Sequence, residues 1–137
     1  MFFSLKKYLT TSIKWLVPFF SLELLLSILY FTHAIESGLF AIINAIDIVF
    51  LLLPGGYYLI SFFIYKRKCK DCTPKVGVIT NWENGFYRYT GCVILKEDDK
   101  EYSTSAYLSS DECRDMVGKT VSYAIIGDTL FIYQIKE

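Results

Sequence analysis

Glu23, Asn44 and Asp47 are polar residues set inside two strongly apolar stretches of the chain. A carboxylate in lipid is expensive and marks a functional candidate by default. Asn44 and Asp47 are three residues apart, so on a helix they share a face. Glu23 lies nine residues from Lys14, about 13 Å along a helix and close to a bilayer midplane. Asp47 precedes Tyr65 by eighteen residues, about 27 Å, which predicts a place near the outer surface. Three readings follow: packing inside an oligomer with the carboxyls hydrogen-bonded or protonated, an ion or proton path, or simple exposure at the interface.

The thiols offer a second possible chemistry. Cys69-Lys70-Asp71-Cys72 is a Cys-x-x-Cys pair, and Cys92 and Cys113 are the other two cysteines. A redox pair of this kind opens a helix after a strand, whereas this one follows an apolar run in a basic linker. A zinc site needs two further ligands, and Cys92 and Cys113 fit the interior of a β domain. All four are therefore read as reduced cytosolic thiols. A metal or disulfide at the pair, or lipidation of these juxtamembrane cysteines, is the alternative. His33 is the only histidine, so no Ser-His-Asp or Cys-His set forms in the second half. No glycine-rich phosphate loop is present. Glu97-Asp98-Asp99 lacks the spacing of a calcium loop and reads as a solvated turn. The expectation is a non-enzymatic protein with no cofactor and no metal.

Aromatic residues are the remaining candidates. Trp82, Tyr87, Tyr89, Tyr102, Tyr107, Tyr123 and Tyr133 crowd a short segment. Exposed on a barrel, Trp82, Tyr87, Tyr89 and Tyr102, with Arg88, form a set able to stack a base or grip a peptide. The same rings also serve as core and cross-strand pairs.

These residues need two kinds of element to hold them. Hydrophobic residues make up 53% of the 137 and charged residues 20%, an unusual balance for a soluble domain. The first 70 residues carry seven Lys/Arg and three Asp/Glu, the rest seven and eleven, so a net of +4 faces a net of −4. The acidic second half argues against duplex nucleic acid, which needs a dense basic face. The basic residues instead flank apolar runs, where they meet anionic headgroups. Residues 1–12 read as a cytoplasmic N-terminal segment, and 13–33 as a first transmembrane helix, with Trp15 in an aromatic belt and Pro18 in the first turn. Residues 39–65 read as a second transmembrane helix and 66–74 as a basic linker. Pro54-Gly55-Gly56 predicts a kink, a close helix contact through small residues, or an interfacial first half. Lys6, Lys7 and Lys14 precede one run, Lys66, Arg67, Lys68 and Lys70 follow the other, and the loop between has no basic residue. The positive-inside rule then puts both termini in the cytoplasm of a multi-pass inner-membrane protein. Cleavage as a signal peptide fits less well, because the run is long and Glu23 interrupts it.

Residues 75–137 change to short β runs. Strands are expected at 76–80, 86–96, 101–107, 120–126 and 129–135. Asn84-Gly85 predicts a two-residue hairpin turn, and Gly91 a bulge or bend. Ser109 and Glu112 form a capping box for a short helix through Cys113, Met116 and Val117, which Gly118 stops. The order β-β-β-α-β-β is that of an OB-fold, a five-stranded barrel. The fold expected is a membrane α-helical hairpin plus a small all-β or α+β, OB-fold-like domain. An SH3-like barrel or open sheet is the alternative.

The spacing Gly77-Val78-Ile79, Gly91-Cys92-Val93, Tyr102, Gly118-x-x-Val121 and Leu130-Phe131-Ile132 resembles the C-terminal domain of short NfeD-like membrane proteins. The resemblance covers roughly the last 60 residues and consists mainly of barrel glycines and apolar strand positions. It implies an OB-fold partner of stomatin-, prohibitin- or flotillin-type membrane scaffolds. The glycine-rich membrane segments and the serine protease domain of the long form are missing here, and Asn81-Trp82-Glu83-Asn84-Gly85 departs from the usual first hairpin. Two functions are carried forward. One is a membrane adaptor, a homo-oligomer in the bilayer whose barrel binds a scaffold protein. The other is a ligand-gated membrane effector of bacterial defence. Its barrel would sense a small molecule such as a cyclic nucleotide, and its helices would perturb the membrane.

Overall fold

The computed structural model describes residues 2–85 and 89–136. The chain forms two units, Tyr8–Phe62 and Met1–Lys7 with Phe63–Glu137.

Tyr8–Phe62 is a helical hairpin. Helix α1 runs Phe3–Phe31 without interruption, so the expected free segment at residues 1–12 is mostly helix. Pro18 consequently sits mid-helix rather than in a first turn. It removes one backbone hydrogen bond, and the continuous apolar run on both sides carries the helix through. At the C-terminus, His33 adopts φ 59°, and Ala34 N–H reaches Leu29 O at 2.9 Å while His33 N–H reaches Tyr30 O at 3.1 Å. This pattern is a Schellman closure that satisfies carbonyls the helix leaves open.

Helix α2 covers Ser37–Phe50, a π-helical turn covers Leu51–Gly55, and α3 covers Gly56–Lys68. Pro54 lies within the π turn, which absorbs the missing N–H without breaking the helix. Gly55 allows close approach: a Cβ there would fall 2.7 Å from Leu16 Cδ2, and Ser12 Oγ donates to Gly55 O at 3.3 Å. The close helix contact, one of the outcomes expected at Pro54-Gly55-Gly56, is present. Stacked rings pin the rest of the hairpin, Phe19 on Phe50 at 5.7 Å and Tyr30 on Phe40 at 4.5 Å. Ser12, Asp47 and Ser61 are buried, while Phe20, Leu24, Phe31, Ile42, Leu52 and Leu53 point outward and are exposed. That inverts the usual water-soluble arrangement. Phe3–Phe31 and Ser37–Asp71 are both long and apolar enough to cross a membrane.

The other unit is a closed barrel. Its strands are β1 (Lys75–Asn84), β2 (Thr90–Glu97), β3 (Lys100–Ser103), a two-residue β4 (Leu108–Ser109), β5 (Thr120–Ile126) and β6 (Thr129–Lys136), with α4 (Ser110–Met116) between β4 and β5. β1 pairs with both β2 and β5, β2 with β3, β5 with β6, and β3 with β6 in parallel. The circuit β1-β2-β3-β6-β5-β1 closes a five-stranded barrel with an α-helix before its last two strands, the OB-fold arrangement expected. Ile79, Val93, Leu95, Val121, Leu130 and Ile132 fill the interior.

Three local expectations change. Asn84 pairs with Gly91, so the chain does not turn at Asn84-Gly85 as a two-residue hairpin; residues 86–88 lie outside the described residues. The β1 bulge is at Thr80, between Ile79 and Asn81, not at Gly91. Gly91 is needed for space instead, because a Cβ would lie 2.8 Å from Glu83 O and 2.9 Å from Cys113 Sγ of α4. The third strand ends at Ser103 rather than Tyr107, where Thr104 Oγ1 accepts the Val93 N–H at 3.2 Å and turns the chain away. The capping box forms as expected, with Glu112 N–H donating to Ser109 Oγ at 3.2 Å. Gly118 follows in the left-handed region at φ 86°. The linker expected at 66–74 is mostly helical, since α3 reaches Lys68 and a 3₁₀ turn covers Cys69–Asp71.

Candidate functional site

Two helices of the hairpin bring Glu23, Asn44 and Asp47 together. The Asn44 side-chain amide lies against the Glu23 carboxylate, and with its nitrogen turned toward α1 it donates to that carboxylate. The Glu23 and Asp47 carboxyls are themselves within hydrogen-bonding reach. Asp47 is only 2% exposed, and neither of its oxygens meets a donor among the described residues. Glu23 is eight residues from the end of α1 and Asp47 ten from the start of α2, about 12 and 15 Å from the connecting loop. The sequence placed Asn44 with Asp47; the antiparallel register of the hairpin adds Glu23.

The barrel candidates are spread out. Trp82 faces Val93 and Tyr102 faces Leu95 across the ladder. Directly opposite residues share a face of the sheet, so both half-buried rings sit at the rim of the barrel interior. Arg114 of α4 lies over the Trp82 ring at 5.5 Å, and Lys100 lies over Tyr102 at 5.3 Å. Tyr89 is 72% exposed with φ 69°. Tyr87 and Arg88 lie outside the described residues. Tyr107, Tyr123 and Tyr133 are buried and belong to the core. Beside Tyr102 is an open depression of about 170 Å³ bordered by Glu83, Ile94, Glu101 and Ser103. On the outer face of β1, Val76 and Val78 are exposed, with the inward Gly77 packed against Tyr123 and Leu95 between them.

One cluster was not anticipated. Ser4, wholly buried, accepts the Ile132 N–H at 2.8 Å and shares a 2.7 Å hydrogen bond with Tyr107 Oη. Phe2 packs edge-on against Tyr133 at 4.6 Å, and Tyr65 lies 5.9 Å from Phe131. β6 is therefore buried on both faces, one by the barrel interior and the other by the first turn of α1 and by Tyr65. Lys7 pairs with Glu112. Burial acts to raise the Glu112 carboxyl, but Lys7 and the Ser109 contacts outweigh it and hold it below its ordinary value. No local pattern around Ser4 signals this role, because its partners are more than 100 residues away.

The four thiols are free. Burial pushes Cys113 up to about 11, with Cys92 and Glu112 adding to the effect, and burial also raises Cys92. Both are poor nucleophiles at neutral pH; Cys113 is a core residue as expected, whereas Cys92 is half-buried on the strand face opposite Val93. Among the described residues, no group of three or more His, Cys, Asp or Glu side chains is placed to hold a metal ion.

Comparison of the chain with protein-family models, with curated proteins and with solved structures finds no match.

Proposed function

We propose that this chain is a non-enzymatic, two-span membrane protein whose cytoplasmic barrel docks a partner protein, making it a membrane adaptor. The observation that carries the docking role is the outer face of β1. Val76 is 60% and Val78 48% exposed on a barrel whose interior is already filled. Neither valine is explained by the fold. Apolar groups of this kind gain most when a partner covers them. The first turn of α1 packs on the barrel through Ser4 and Lys7. This packing, with the basic flanks at Lys14 and Lys66–Lys68, supports a two-span topology in which the N-terminus and barrel share a side. The NfeD-like spacing of the barrel supports a stomatin-, prohibitin- or flotillin-type scaffold as the partner.

Native mass spectrometry of the detergent-solubilised full-length protein tests this reading. The expected result is a stoichiometric complex with a second membrane protein, lost in Val76→Asp/Val78→Asp. These exposed positions change stability by only about 0.5 kcal/mol. A homo-oligomer carrying a small molecule and no second protein would sink the adaptor. That outcome would favour the second reading, a ligand-gated effector, for which the polar Glu23–Asn44–Asp47 cluster is the specific support. Growth arrest on overexpression, relieved by Asp47→Leu, is the matching cellular result.

A further inference from the structure

We propose that Glu23 and Asp47 form a proton-binding site inside the hairpin, a carboxyl–carboxylate pair that holds one proton between its two side chains. This inference rests on the membrane-spanning reading and is independent of what the barrel binds.

The geometry makes a specific demand. Asp47 is buried with two acceptor oxygens and no donor among the described residues. Its neighbour across the hairpin is a second carboxyl. Two carboxylates side by side offer only acceptors, and in apolar surroundings both cannot stay ionised. One proton resolves the conflict. It makes one group an O–H donor to the other, so the orphaned side chain gains its hydrogen bond. Asn44, once its amide is turned so that the nitrogen faces α1, adds a donor to the Glu23 side of the pair. The site takes that proton from water and returns it to water, with only an O–H bond made or broken.

Among the described residues, the other charged groups of the hairpin sit elsewhere along it, Glu36 at the start of α2 eleven residues before Asp47. On α1 the remaining charged residues are Lys6, Lys7 and Lys14, and Lys14 is nine residues, about 13 Å, from Glu23. Asp47 is the only charged residue of α2. The basic end of α3 begins nineteen residues beyond Asp47. The tyrosines of the hairpin are turned elsewhere, Tyr30 onto Phe40, Tyr58 onto Tyr8, and Tyr57 onto Tyr58. His33 belongs to the closing turn of α1, ten residues from Glu23.

The test uses full-length protein in phosphatidylcholine vesicles, first checked for resistance to alkaline extraction. Dicyclohexylcarbodiimide reacts with protonated carboxyls in apolar surroundings. It accepts the proton on nitrogen while the carboxylate adds to its central carbon. The expected result is one adduct per chain at neutral pH, on Asp47 or Glu23. Labelling should fall at least tenfold through an alkaline titration, ignore added sodium at constant pH, and vanish in Glu23→Gln/Asp47→Asn. The infrared carbonyl stretch of a protonated carboxyl, lost in Asp47→Asn, is the second readout. Two adducts per chain, or protection by sodium, overturns the single-proton site. An integrated chain with neither adduct nor infrared band overturns it while leaving the spanning reading intact. A chain stripped by alkaline extraction sinks both.

Discussion

Ser4 illustrates how much one hydroxyl can hold. It is the acceptor for the Ile132 N–H and the partner of Tyr107 Oη, all buried. Ser4→Ala removes the acceptor of the buried Ile132 N–H, and an orphaned buried donor costs about 1–3 kcal/mol. Denaturant unfolding should show that loss, and hydrogen exchange should place it at the Ile132 amide. A glycine at the same position should lose as much, because the missing hydroxyl and not the missing volume is responsible. Glu112 adds a pH dependence. Its folded value lies below its ordinary one, so its pairing with Lys7 stabilises the protein above the unfolded value and the contribution is lost as pH falls through the lower folded value. The Lys7→Ala variant should flatten the acid limb of the stability curve. An unchanged limb would mean that the pair contributes nothing to folding.

Elements are fitted together at single positions. Gly91 lies on β2 where α4 comes nearest, and a Cβ would press on Glu83 O and Cys113 Sγ together. Gly91→Ala should therefore destabilise by about 1–3 kcal/mol, the usual cost of overpacking. Adding Cys113→Ala should restore only part of it, since the Glu83 carbonyl is backbone and cannot yield. Full rescue would show that α4 alone sets the constraint. Asp98 and Asp99 turn β2 into β3 with φ 50° and 63°. Both are left-handed, as in a type I′ hairpin. Asn-Gly suits such a turn better, so Asp98→Asn/Asp99→Gly should raise the thermal midpoint by several degrees. A lowered midpoint would argue that the two carboxylates are tied into the barrel by charge, as the 3.9 Å Lys100–Asp128 pair hints nearby.

At the scale of the whole molecule, the prediction concerns sidedness. The proposed topology, with both termini cytoplasmic, requires the loop after α1 to face outward. In right-side-out vesicles, a membrane-impermeant maleimide should label His33→Cys in a chain whose native cysteines are replaced by serine. The same chain keeping only Cys72, which is partly exposed, should label only after permeabilisation. The reverse pattern would place the barrel outside. Energetics favour insertion despite the carboxyls. One ionised carboxylate costs about 3 kcal/mol at the helix centre, while each Leu, Ile, Phe or Val returns about 0.3–0.6. Both spans contain enough such residues to offset it.

Local chemistry in the sequence determined the elements. Apolar runs longer than a bilayer core require helices, because lipid satisfies no backbone group. Strands β5 and β6 and the capped helix α4 were legible because alternation, a Gly-Asp turn and a Ser-x-x-Glu cap act over a few residues. The β-β-β-α-β-β order was enough to name the barrel, whose closure depends on few alternatives. Contacts between distant residues were decided only by the tertiary structure. Asn44 and Asp47 share a face by helical spacing, yet Glu23 joins them only through the register of two antiparallel helices. Trp82 and Tyr102 looked like a binding platform, but the ladder turns them to the barrel rim beneath Arg114 and Lys100. Ser4 became a core residue because β6 presents an unpaired amide more than 100 residues away. Side-chain spacing is a short-range signal, and which faces meet is set by packing across the whole chain.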